Sequence, residues 1–96
     1  MSDLSGMDDR DIDALVDSEV MHAGRRASAP HYTTDAHKVE CVIERMAKRG
    51  YSFSRSGTAG HWYCGFQSPK RAAYAVCCTV GRAVCEAALL AVRGAA

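Results

Sequence analysis

Along this chain the apolar positions recur first with the period of a helix, then with that of a strand, and finally with that of a helix again. From Asp8 onward Ile12, Leu15, Val16 and Val20 fall on one helical face, which predicts a helix from about Asp8 to Met21 or His22. Asp8 and Asp9 suit its first turn, where carboxylates complement the helix dipole. Residues 1–7 read as a frayed start. Gly24, Arg25, Arg26, Ala27, Ser28, Ala29 and Pro30 follow no period and contain two breakers, so they read as a loop. Thr33, Thr34 and Asp35 then offer capping side chains to a second helix, whose stripe is Ala36, Val39, Val42, Ile43, Met46 and Ala47. Lys48 and Arg49 fall in its last turn, and Gly50 is placed to end it in the left-handed conformation.

The period then switches to two. Tyr51 and Phe53 alternate with Ser52 and Ser54 in a short strand, and Arg55 to Gly60 reads as the turn of a hairpin. In the next strand Trp62, Cys64 and Phe66 share one face, with His61, Tyr63, Gly65 and Gln67 on the other. Ser68-Pro69-Lys70 turns the chain again. Ala73 to Cys78 reads as a third strand or as the start of the last helix, with Thr79 as a cap. Val80, Val84, Ala87, Ala88, Ala91 and Val92 form the final helical stripe, which ends near Gly94. The fold class is therefore α+β: a single domain over 1–96 in the order α-α-β-β-β-α, a sandwich of a three-stranded antiparallel sheet with three helices available to cover its two faces. The last helix also carries Ala83, Cys85, Leu89 and Leu90 outside its stripe. Such all-round apolarity predicts either deep burial or a homodimer through this helix.

Composition narrows the class without naming an activity. With 96 residues, 48% of them hydrophobic and 24% charged, the chain has the balance of one small globular domain. Arg82 and Glu86 interrupt the most apolar stretch, short of the roughly 18 residues that a membrane helix needs. The acidic, polar Met1-Ser2-Asp3 start is no secretory signal, so the expected location is the cytoplasm. The net charge of +1 gives no global pull toward nucleic acid, but it is unevenly spread. Residues 1–20 hold Asp3, Asp8, Asp9, Asp11, Asp13, Asp17 and Glu19 against Arg10, a balance of −6, and residues 21–96 carry +7. Cys41, Cys64, Cys77, Cys78 and Cys85 are odd in number and lack any C-x-x-C spacing, which reads as small apolar side chains and not as a disulfide framework.

Read in order, Asp13-Ala14-Leu15-Val16 with Val20-Met21, then Pro30-His31-Tyr32-Thr33-Thr34-Asp35, Val42-Ile43-Glu44-Arg45-Met46, Arg49-Gly50-Tyr51, Trp62-Tyr63-Cys64 and Cys85-Glu86-Ala87-Ala88-Leu89 resemble the phage ABA sandwich domain family over nearly the whole chain. One departure is His22-Ala23 after Met21, where members often have Gly-Trp. The resemblance implies an α/β sandwich from a phage or prophage, acting in the bacterial host, and it implies no reaction.

Candidate chemistry is sparse. His37 and Cys41 stand i, i+4 on the second helix, with His22 and His31 before it, but no recurring ligand pair completes a metal set, and no metal or other cofactor is expected. His61 and Cys64 point to opposite faces of a strand, so they form no nucleophile–base pair, and neither Cys77 nor Cys78 has a His beside it. No catalytic residue emerges, and the chain reads as a non-enzyme. The basic residues are too diffuse for a nucleic-acid interface, and no membrane surface is implied. The expected function is a phage accessory binding module whose partner is a host or phage protein. The alternative is a counter-defence protein that sequesters a nucleotide signal or inhibits a host defence nuclease complex. For the sequestering form, Arg25, Arg26, Tyr32 and Trp62 would supply cations and stacking surface. Asp9, Asp13 and Asp17, spaced by four, form a candidate partner-facing acidic stripe.

Overall fold

The computed structural model describes residues 4–23 and 28–94. A short 3-10 turn at Leu4–Gly6 leads into α1 (Asp9–Leu15), which continues as a π-helical turn over Val16–Val20. After the loop come α2 (Ala36–Lys48), β1 (Ser52–Thr58), β2 (His61–Gln67), β3 (Ala72–Cys77) and α3 (Val80–Arg93). The α-α-β-β-β-α order is the one the periodicity predicts.

The helix ends follow from their caps. The Asp8 carboxylate accepts from the Asp11 amide, that of Asp35 from the His37 amide, and the Thr79 hydroxyl from the Arg82 amide. Gly94 closes α3 with a left-handed φ of 66°. His22 takes the same conformation, with φ 54°, just after the first helix. A non-glycine side chain in this conformation costs about 1–2 kcal/mol. The Arg49 guanidinium contacts Nε2 of the His22 ring.

The sheet runs β1-β2-β3, antiparallel throughout, with Thr58 paired to His61 across a two-residue turn at Ala59 and Gly60. The predicted turn over Arg55–Gly60 is therefore too long: β1 continues through Thr58. Its Ser, Arg and Thr side chains suit an edge strand, and β2 supplies the hydrogen bonds that their composition does not advertise. Ala72–Cys77 is a strand, one residue earlier at each end than expected.

The register divides the sheet into two faces. Phe53, Phe66 and Ala73 face one way, as do Cys64 with Ala75 and Trp62 with Cys77. This inner face carries α3, which packs on β2 and β3, while α2 packs against α3 and β1. Cys64, Phe66, Ala73 and Ala75 are buried there together with Val84, Cys85, Ala87, Ala88 and Leu89 of α3, and with Ile12, Val16, Val20, Val42 and Met46. Trp62 packs on this cluster half-buried. Ala36 and Ala47, placed in the α2 stripe by spacing, are exposed.

Two expectations are corrected. α2 and α3 pack on the inner face of the sheet, α1 packs on α3, and the outer face is left open, instead of helices covering both faces. Residues 4–7 are also not frayed. Leu4 is buried, and Arg82 Nη2 donates to the Leu4 carbonyl at 2.8 Å and to that of Met7 at 2.5 Å. The all-round apolarity of α3 is used within the chain, since every residue from Ala83 to Leu89 is buried.

Candidate functional site

The acidic row of the first helix is built inward. Spacing by four does place Asp9, Asp13 and Asp17 in one row, but Asp13 is fully buried and Asp17 is 6% exposed. Asp13 accepts from Arg10 Nη1 and from the Thr33 amide, both at 2.8 Å, and Asp17 accepts from the Tyr32 hydroxyl at 2.7 Å. These bonds meet the desolvation cost of two buried carboxylates and tie the Tyr32–Thr33 loop to the first helix. Asp9 alone is exposed, and its carboxylate is held by Arg82 Nη1 at 2.8 Å. The stripe therefore faces the protein, not a partner.

The two described members of the cation-and-stacking set, Tyr32 and Trp62, form no open stacking surface. Tyr32 is 3% exposed and offers no ring surface, and Trp62 lies on the inner face of the sheet. Arg25 and Arg26 lie outside the described residues.

Near the C-terminal end of β3 a cavity of about 390 Å³ is lined by Met7, Asp9, Val76, Cys77, Cys78, Thr79, Arg82 and Glu86. Arg82 is its hub, with Nε on Glu86 Oε2 at 2.6 Å in addition to the Asp9, Leu4 and Met7 bonds. A guanidinium so committed holds the N-terminal segment against α3 and has little left for an anion. The Cys77 thiol donates to Glu86 Oε2 at 3.3 Å. Burial, then the hydrogen bond and the negative charge of Glu86, push this thiol up to about 12. It is protonated near neutrality and no nucleophile. Burial likewise raises the Cys64 and Cys85 thiols. Among the described residues no three His, Cys, Asp or Glu side chains group in a way that would hold a metal ion. His37 and Cys41 are both exposed on α2.

The outer face of the sheet is the surface that spacing alone did not single out. It consists of Ser52, Ser54, Ser56 and Thr58 on β1, His61, Tyr63, Gly65 and Gln67 on β2, and Ala72, Tyr74 and Val76 on β3. None is Asp, Glu, Lys or Arg, in a chain where 24% of residues are. Tyr63, Tyr74 and Val76 are 41%, 43% and 49% exposed. The two tyrosine rings stack with centroids 5.4 Å apart. Tyr74 lies over Gly65, where an added Cβ would come within 2.2 Å of the ring, so this glycine lets the aromatic lie flat. The result is a level, neutral platform with hydroxyl groups along one side. A signal for it exists in the sequence, since the alternation Ala73, Ala75 against Tyr74, Val76 puts small residues on one face and large ones on the other. Small residues admit a close helix, so the large ones face away.

No family profile matches the chain, and neither does any curated protein sequence. Its fold is similar to the crystal structure of a phage protein from Bacillus cereus ATCC 14579, with a TM-score of 0.78 at 18% identity over 93% of this chain and 96% of that one. No helix among the described residues is long and apolar enough to cross a membrane.

Proposed function

We propose that the chain is a non-enzymatic phage accessory protein, of the kind the ABA sandwich resemblance implies, and that it works in the bacterial host cytoplasm as a binding module for a protein partner. The observation that carries this reading is the uncharged outer sheet face, with its stacked Tyr63 and Tyr74 and exposed Val76. Tyrosine enrichment and depletion of charge are the compositional marks of an interface core. A nucleic-acid partner would need cations that this face does not carry. The fold of the Bacillus cereus phage protein supports the phage assignment. For the counter-defence alternative, burial of Tyr32 takes away part of the surface that nucleotide sequestration would use.

The test is capture from phage-infected host lysate on the immobilised protein, comparing the natural chain with Tyr63→Glu. Tyr63 is exposed, so the variant keeps its fold, which a thermal melt verifies. A stoichiometric partner that is held by the natural chain and lost from Tyr63→Glu supports the reading. A partner retained equally by both places binding elsewhere and sinks it.

A further inference from the structure

We propose that two copies of this chain associate through the free edge of β3, running antiparallel, so that their sheets join into one sheet of twice the width. The two edges of the sheet are built differently. β1 carries Arg55 at its centre and Gly57 at φ 136°, a charge and a backbone irregularity of the kind that discourages a further strand. β3 reads Ala-Ala-Tyr-Ala-Val-Cys, without charge, proline or glycine. Its register with β2 is unbroken from Ala72–Gln67 to Cys77–Trp62, so no bulge twists it away. On its other side, among the described residues, its backbone bonds to no other segment of the chain. The 390 Å³ cavity separates Met7 from its Val76–Cys78 end.

An unprotected edge of this kind is a template for another strand, and its neutrality selects the occupant. A partner chosen by charge has nothing to read on Ala72–Cys77, whereas a second copy brings the same apolar edge and needs no charge matching. Facing residues of an antiparallel pair share a face, so the two-fold axis must pass through a residue. Centred on Ala75, it sets Tyr74 opposite Val76 of the second copy, and Val76 opposite its Tyr74. Both large exposed apolar residues of β3 are then covered twice over as aromatic–β-branched pairs, a favourable cross-strand combination. A two-fold axis on Tyr74 would leave Val76 facing only Ala72. The expected dimer contact therefore moves from α3, which the chain buries itself, to β3. The joined sheet leaves the Tyr63 side of the outer face open, while Tyr74 and Val76, on which the protein-partner reading also draws, lie along the seam.

Native mass spectrometry over a dilution series reads it directly. The natural chain is expected at twice 10.3 kDa, dissociating only on dilution. Val76→Lys, at a position 49% exposed and so without cost to the fold, is expected to weaken association at least tenfold. Ser54→Lys, on the same face but on β1, is expected to dimerise as the natural chain does. A natural chain monomeric at every concentration overturns the proposal. So does a dimer indifferent to Val76→Lys, and so does one that Ser54→Lys breaks equally, which would mean that the sheets meet face to face.

Discussion

The two faces of the sheet are made from neighbouring residues of the same strands, yet they have opposite fates. Cys64, Phe66, Ala73 and Ala75 are buried beneath α3, whereas Tyr63, Tyr74 and Val76, one residue away along the chain, are exposed. On β3 size tracks the division, with the small Ala73 and Ala75 on the face where α3 packs and the larger Tyr74 and Val76 on the other. On β2 it does not, since Phe66 is fully buried on the inner face while Tyr63 is half-exposed on the outer one. There the helix decides: α3 packs on the inner face of β2 and β3, and the outer residues are left available for binding.

Phe66 and Tyr63 break or sharpen this comparison most strongly. Phe66 is fully buried, with its ring 5.1 Å from that of Phe53. Phe66→Ala should cost about 3–5 kcal/mol, since it opens a cavity between sheet and helix. Tyr63→Ala removes a half-exposed ring and one stacking partner, for which less than about 1 kcal/mol is expected. Urea unfolding of the two variants gives both numbers. Equal costs would mean that the outer face is part of the core, and its reading as a binding surface would fall with that result.

Much of this architecture was legible because its signals are local. Caps at Asp35 and Thr79, the terminators Gly50 and Gly94, and the alternation through Trp62, Cys64 and Phe66 each act within a turn or a strand. What was not legible depends on long-range partners. Whether Asp13 and Asp17 face water or the interior depends on Thr33 and Tyr32, far along the chain, and amphipathic spacing assigns a row of carboxylates to the surface by default. The extension of β1 through Ser56 and Thr58 depends on β2 in the same way. Arg82 reads as an interruption in an apolar helix, and only the fold reveals that it anchors Leu4 and Met7. The openness of one sheet face follows from where the helices go, which periodicity does not encode.

Gly65 is the point where the two faces meet, because it sits on the outer face and is nevertheless buried, under Tyr74. Gly65→Ala would drive a methyl group into that ring, which can swing aside at its far end. The expected cost is about 1 kcal/mol, at the low end for overpacking, together with loss of the Tyr63–Tyr74 stack, visible as a change in near-ultraviolet circular dichroism. An unchanged aromatic signal would mean that Tyr74 does not lie across the strand, and the level platform would not exist.

The smallest perturbation leaves every side chain in place and counts thiols. Cys77 and Cys78 are consecutive, but Cys77 turns inward to Glu86 while Cys78 is exposed. With its thiol pushed up to about 12 by burial and by Glu86, Cys77 stays neutral at pH 8. The thiolate that iodoacetamide requires is then present at roughly one part in ten thousand. Mass mapping after brief labelling at pH 8 should find Cys41 and Cys78 modified, and Cys64, Cys77 and Cys85 spared until denaturant is added. Cys77 labelled as fast as Cys78 would contradict the inward orientation of the end of β3. Because side chains alternate strictly along a strand, a one-residue slip there would exchange the two faces and carry Tyr74 and Val76 into the core. A pair of adjacent cysteines thus reports on the same division of the sheet that Phe66 and Tyr63 probe by mutation, in a chain that has not been altered.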